Sequence, residues 1–474
     1  MVFSSLFFSF FFLPLVVMIY YLAKEKYRNY ILLVASLYFY SYGEPKFVFV
    51  MVASIILNYL LARGIDKYKK LDRGAVAKTM LTIGIVMNVG LLFVYKYLDF
   101  TVERINGLFG ANLPLAGIAL PIGISFFTFQ AMSYVIDVYR GTVEVQNNLF
   151  YLALYISFFP QLIAGPIVRY STIEKQINER ICSIDKFGEG VRRFFLGFAK
   201  KVIIANNVAI VVDEIFEQEP LHTNPTLLWL GAIGFSLQIL FDFSGYSDMA
   251  IGLGKIFGFE FEENFNYPYF AESVTDFWRR WHMSLGQWFR DYVYIPLGGS
   301  RVSVPRHILN LFVVWALTGI WHGASFTFLT WGLEYFVLLV IEKYLVHPEK
   351  RKSPIFKIVW RIFTVLCIVL GFVIFNSSGT KTGIIYCLSL FGYNGLPFTI
   401  DVPVIRYCRE YGIFYIMGIV FATPIMQVLK TKLESSRLSK VCSVVVPLGY
   451  GIVFLWAVSY IVLGAHNPFI YFNF

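Results

Sequence analysis

Long apolar blocks dominate this chain, and they are too long and too numerous to be covered by a water-soluble surface. They run 3–22, 30–62 (broken at Gly43-Glu44-Pro45), 79–98, 114–138, 149–168, 195–212, 226–258, 307–341, 355–376, 411–429 and 441–464. At about 20 residues per bilayer crossing they predict on the order of eleven spans. Composition agrees: 57% of residues are hydrophobic and 15% charged, with a mean hydropathy of +0.64. A soluble domain needs about a quarter of its residues charged. The expectation is an all-α polytopic integral membrane protein with about eleven transmembrane helices plus re-entrant and interfacial ones. No polar stretch is long enough to build a soluble appendage, so residues 1–474 are read as one membrane domain.

The net charge of +10 does not point to nucleic acid, because the basic residues form no continuous face. They gather instead in short loops, Arg63 to Lys78, Arg169 to Lys201, Lys343 to Arg361 and Lys430 to Lys440, as cytoplasmic loops do. The loop with Asp213, Glu214, Glu217 and Glu219 then faces outside. This assignment leaves two segments with awkward parity. Phe150 to Pro166 must enter and leave on one side, which suits a re-entrant segment buried in protein. Arg301 to Lys343 is either a hairpin or a single crossing. The start, Met1 to Tyr21, lacks a basic leader and a cleavage site, and Lys24, Lys26 and Arg28 follow it. It reads as a retained first helix with its N-terminus outside, in a multi-pass plasma-membrane protein.

Several chemistries have no apparatus here. Five scattered cysteines with no CxxC make neither a disulfide frame nor a metal site. No HExxH, Walker-type or GxSxG motif occurs, so metal hydrolysis, ATP hydrolysis and a serine-hydrolase elbow are unsupported. No bound cofactor or metal is expected. No internal repeat of the transporter kind is visible either.

Residues Leu240 to Gly332 differ from the rest in interleaving charge with apolar groups. Read as one helix, Asp276 to Tyr292 carries an apolar stripe of Phe277, Trp281, Leu285 and Trp288. Its polar stripe is Asp276, Arg280, Met283, Gln287 and Arg290, and His282 sits between the two. Tryptophans at the apolar boundary make this an interfacial helix, in which His282 is either functional or a solvated anchor residue. His322 lies between Trp321 and Gly323 in Leu311 to Trp331, a block without any charged residue. An ionisable group at that depth is a functional candidate; the competing role is a hydrogen-bonded histidine holding a helix break. Asp242 and Asp248 bracket Ser244-Gly245-Tyr246 and are read as a structural clamp, with Arg279 and Arg280 the nearest unassigned partners in sequence. His222, His307, His347 and His466 sit in polar loops or near block ends and read as interfacial.

The runs FDFSGYSDMAIGLG (241–254), DFWRRWHMSLGQWFRDYVYIPLGG (276–299) and GIWHG (319–323) resemble the membrane-bound O-acyltransferase (MBOAT) family. The likeness is to its bacterial branch, which handles alginate O-acetylation and teichoic-acid D-alanylation. YFYSYGEPKF (38–47), PIGISFFTFQAMSYVIDVYRG (121–141), FFPQLIAGPI (158–167) and NPFIYFNF (467–474) are similar to it too. The resemblance implies a multi-helix fold around a central channel, with a signature core at approximately 114–345. By position, His322 matches the family's near-invariant histidine and His282 its second.

The implied activity is acyl transfer, acetyl in the first instance, from a cytoplasmic thioester such as acetyl-CoA toward hydroxyls of an extracytoplasmic polysaccharide. His322 would act as general base and His282 would position or relay a proton. Arg279, Arg280 and Arg290, with Trp281 and Trp321, would receive the donor; snorkelling to lipid headgroups is the other role open to the arginines. Asp242, Asp248 and Asp276 would shape the cavity. Expected partners are lipids, the donor, the polysaccharide and a secreted or membrane-anchored esterase-like acetyltransferase. D-alanyl transfer to teichoic acid and a transporter or flippase without acyl transfer are the competing readings.

Overall fold

The computed structural model describes residues 1–434, 439–468 and 470. Every regular element among them is helical. Seven helices there are long and apolar enough to cross a bilayer: Val48–Lys70, Gly74–Phe109, Ile184–Phe216, Pro225–Ile256, Val304–His322, Pro354–Asn376 and Val445–Val462. A bent pair, Val402–Phe421 with Ile425–Leu433, makes an eighth if it is one span. The all-α polytopic class is met, and the exact count of about eleven is not confirmed among the described residues, where several apolar blocks fold as shorter pieces such as Phe8–Leu22. Part of the fourth basic loop, 435–438, and residues 469 and 471–474 of the C-terminal run lie outside the described residues.

Two compact units are distinguished. The first comprises Met1–Phe194 and Ser247–Glu262. Its helices Glu25–Gly43 and Val48–Lys70 flank the expected break at Gly43-Glu44-Pro45, where proline removes a backbone donor. Asn58 and Asn88 exchange amide hydrogen bonds of 2.8 and 3.3 Å between two apolar helices, a polar tie of the kind that joins helices in lipid. The Phe150 to Pro166 block is broken as expected. Its helix Leu149–Ser157 has nine residues, about 14 Å at 1.5 Å per residue, well short of the hydrocarbon core. A four-residue turn, Phe159–Leu162, follows, and positions 154–168 are buried. The basic segment Arg169 to Lys201 is largely helical, with Tyr170–Asn178 and Ile184–Ala199.

The second unit comprises Phe195–Tyr246 and Glu263–Phe474. Within it, Val304–His322 and Phe326–Ile341 pack against each other antiparallel, for a Cβ on Gly319 would collide with Phe328 O and one on Gly332 with Trp315 O. The 301–343 block is therefore a helical hairpin, and His322 sits in its tip. The helix Pro354–Asn376 exposes Ile355, Ile358, Val359 and Ile362, an apolar stripe of helical period left for lipid to cover.

Candidate functional site

The interfacial helix expected over Asp276 to Tyr292 does not form as one piece. Val274–Trp278 ends, Met283–Phe289 begins, and His282 between them takes a left-handed backbone with φ 43° and ψ 53°. A histidine in that region is uncommon, and a tertiary partner holds it there. Asn264 accepts Met283 N–H on its backbone oxygen (3.0 Å). Its side-chain Oδ1 accepts from Ser284 N (3.1 Å) and Ser284 Oγ (2.9 Å) and lies 3.2 Å from His282 Nδ1. Asn266 N–H adds a bond to Arg280 O (2.9 Å). The supposed outer stripe is buried as well: Phe277, Trp281, Leu285 and Trp288 all face protein. This stripe belongs to a core, not to the membrane interface.

The first of these short helices is pinned by a carboxylate that sequence reading overlooked. Glu342, 2% exposed, accepts from Val274 N (2.7 Å), Thr275 N (2.8 Å), Thr275 Oγ1 (2.8 Å) and Trp360 Nε1 (3.0 Å). Free N–H groups at a helix start are a natural seat for a negative charge. Asp276 works locally, accepting Glu272 N–H at 3.0 Å and pairing with Arg280 at 3.0 Å.

Because an amide oxygen only accepts, the contact with Asn264 Oδ1 puts the His282 proton on Nδ1. Nε2 is then the basic nitrogen; it is buried and has no hydrogen-bond partner among the described residues. The His282 ring meets Phe243 edge-on at 4.6 Å and the Trp321 ring at 6.1 Å. Trp321 in turn lies 5.0 Å from the His322 ring. The two histidines, forty residues apart in the chain, thus share one indole.

His322 closes the helix Val304–His322, and Gly323 follows in extended backbone. Trp321, Trp331 and Phe375 surround its imidazole, the last two at 5.0 and 5.4 Å and nearly perpendicular. The ring is 6% exposed. Phe375 also lines a cavity of about 320 Å³ whose other walls include Gln238, Asp213, Thr327 and Asn376. The imidazole is therefore one aromatic ring from open space, enclosed by protein side chains.

The clamp residues have other partners than the sequence suggested. In the second unit Asp242 pairs with Lys201 at 2.6 Å, both 2% exposed. In the first, Asp248 pairs with Arg193 at 2.6 Å. Arg279 and Arg280 are not engaged with them: Arg279 is exposed and Arg280 holds Asp276. Proximity in sequence misled, since a helix face meets whichever helix packs on it. Lys201 was visible as a cation opening the apolar run at 202–205. Arg290 is exposed and pairs with the adjacent Asp291 at 2.8 Å. Trp281, offered as a donor contact, packs against Phe265, Phe277 and Phe372. His307 is buried, with its ring nitrogens 2.7 Å from Tyr294 OH and 2.5 Å from Tyr344 OH.

Sequence comparison shows the class of protein to which this helical chain belongs. The profile of the MBOAT, membrane-bound O-acyltransferase, family matches residues 34–378, and the chain belongs to that family. It is 44% identical over 388 residues to the "Probable alginate O-acetylase AlgI" of Pseudomonas aeruginosa, covering 80% of this chain and 73% of that one. It is 33% identical over 431 residues to the "Peptidoglycan O-acetyltransferase" of Helicobacter pylori, covering 84% and 81%. The "Teichoic acid D-alanyltransferase" of Bacillus subtilis matches at 31% over 282 residues, covering 54% and 69%. The protein is a membrane-bound O-acyltransferase.

Proposed function

We propose that this enzyme moves an acetyl group from a cytoplasmic thioester, acetyl-CoA, to a hydroxyl destined for an extracytoplasmic polysaccharide. The support for acetyl over D-alanyl is the breadth of the match: acetyl-transferring relatives align over 80% and 84% of the chain, the D-alanyl relative over 54%. The protein is read as a multi-pass plasma-membrane protein with its N-terminus outside, and a separate esterase-like acetyltransferase is read as its partner on that side.

The observation that carries the mechanism is the shared indole between His282 and His322. His322 acts as the base. It takes the proton as the hydroxyl oxygen attacks the thioester carbonyl, the new C–O bond forms, and the C–S bond breaks. The proton then passes to the leaving thiolate, so an ester and a free thiol result. A positioned base contributes about 10²–10⁴-fold. His282, with Nε2 as its basic nitrogen, positions the reactants or relays the proton. Exposed Arg279 and Arg290, with Arg280, are suited to the phosphates of the donor; Trp321 packs between the histidines, and Trp281 packs on Phe265, which meets Phe243 beside His282.

The test is His322→Ala in the native host, reading surface-glycan ester by mass spectrometry and the protein by immunoblot. Loss of ester at normal protein level is expected. Ester retained at the wild-type level would sink the base assignment. Turnover of acetyl-CoA by purified protein separates this reading from a flippase, which would move label across a vesicle without releasing thiol.

A further inference from the structure

Both ring nitrogens of His307 are engaged, and each reaches a different element of the second unit. Nε2 lies 2.7 Å from the hydroxyl of Tyr294, and Nδ1 lies 2.5 Å from that of Tyr344. Tyr294 ends the helical run that begins at Met283, directly after His282. His307 stands at the foot of the first hairpin arm, Val304–His322, and Tyr344 follows the second arm, Phe326–Ile341. One imidazole, 5% exposed, therefore joins the element leaving His282 to both arms of the hairpin that carries His322.

A neutral imidazole donates through one nitrogen and accepts through the other, so it holds two phenols at once, which no apolar side chain can do. Apolar packing tolerates repacking, whereas two directional bonds on one ring admit a single relative placement of the three elements. Asn310, three residues on along the same arm, seats the loop after Tyr294, with Nδ2 donating to Leu297 O (3.2 Å) and Gly299 O (3.0 Å). On the other flank of His282, Glu342 holds Val274 N and Thr275 N. His282 is thus tied to the hairpin from both sides, by different residues. From His307 the arm runs fifteen residues to His322, about 22 Å at 1.5 Å per residue. A small tilt at the foot is amplified over that length before it reaches the tip.

We infer that His307 is a positioning residue for acyl transfer: the Tyr294–His307–Tyr344 tie fixes the spacing of His282 and His322 across Trp321. It acts through the two histidines, from the opposite end of both helices. The inference rests on the reading of His322 as the base and His282 as its partner in proton transfer.

The test uses the purified full-length protein in detergent, with acetyl-CoA as substrate and release of the CoA thiol as the readout, beside the thermal midpoint of each variant. His307→Leu fills the site without bonding either phenol. It should lower kcat about tenfold to a hundredfold, as a misplacement of about 1 Å does, and leave the KM for acetyl-CoA near wild type. His307→Gln offers one donor and one acceptor and should restore most of the rate. Tyr294→Phe removes one bond and little volume, so it reports even if His307→Leu does not fold. Alone it should cost about tenfold in kcat, and in a His282→Ala background hardly anything more, because changes acting through one residue are not additive. Wild-type kcat in Tyr294→Phe whatever its midpoint, a Gln variant as slow as the Leu one, or losses that multiply in full with that of His282→Ala would overturn the inference. Full kcat in both His282→Ala and His322→Ala would instead remove the reading beneath it.

Discussion

His282 Nδ1 lies 3.2 Å from Asn264 Oδ1, and the same oxygen accepts from Ser284 N and Ser284 Oγ. One amide therefore sets the break between two helices, the left-handed backbone of the histidine and the nitrogen that carries its proton. The histidine's chemistry is held from eighteen residues away.

Replacing that amide should damage function more than insertion. Asn264→Leu removes the acceptor for His282 Nδ1–H and frees the imidazole to change tautomer. We expect acetyl transfer to fall about tenfold to a hundredfold, within the range one positioned proton-transfer group supplies. Asn264→Asp keeps the acceptor and should retain more activity than Leu. Thioester turnover by purified protein, normalised to the monodisperse fraction, is the measurement; equal rates for all three proteins would refute the positioning role.

Glu342 predicts a stability effect. Its loss in Glu342→Ala strands the N–H groups of Val274 and Thr275 and the indole N–H of Trp360. An unmatched buried donor costs roughly 1–3 kcal/mol, and since two of these three are only part-buried the low end applies, for a total of about 3 kcal/mol. Thermal unfolding in detergent should show a clearly lowered midpoint, with Glu342→Gln intermediate because it keeps one acceptor.

The Lys201–Asp242 pair should be asymmetric under mutation. Lys201→Met leaves a carboxylate buried without its cation, which typically destabilises by about 3–5 kcal/mol. Adding Asp242→Leu removes that isolated charge, and the double variant should recover much of the loss. Asp242 Oδ2 also accepts Ile470 N–H at 2.9 Å, so recovery is expected to be partial. A double variant less stable than Lys201→Met would show that the pair is not the stabilising unit.

The hairpin carrying His322 predicts a steric result. A side chain at Gly332 must displace the Trp315 carbonyl and the Gly319 backbone opposite it. Gly332→Val should therefore separate the hairpin and cost about 1–3 kcal/mol, with activity falling further because the tip moves. Gly107, which has open space around its Cβ position, is the control, and Gly107→Val there should leave both stability and acetyl transfer near wild type.

Much was legible without coordinates, because the bilayer simplifies the problem. Lipid demands backbone hydrogen bonds closed within each segment, so apolar blocks at 30–62, 226–258 and 355–376 had to be helical. The break at Gly43-Glu44-Pro45 was local chemistry and could be read directly. His322 stood out because an imidazole in an uncharged apolar block has few structural reasons to be there. Only the tertiary structure decided the rest. Periodicity made Asp276 to Tyr292 one helix, and Asn264 broke it. Sequence distance offered arginines to Asp242 and Asp248, while helix packing supplied Lys201 and Arg193 instead. Glu342 carries no local signal at all, since what marks it is burial and the presence of its partners. A helical period records which faces are apolar; which face meets which neighbour is a property of the packed molecule.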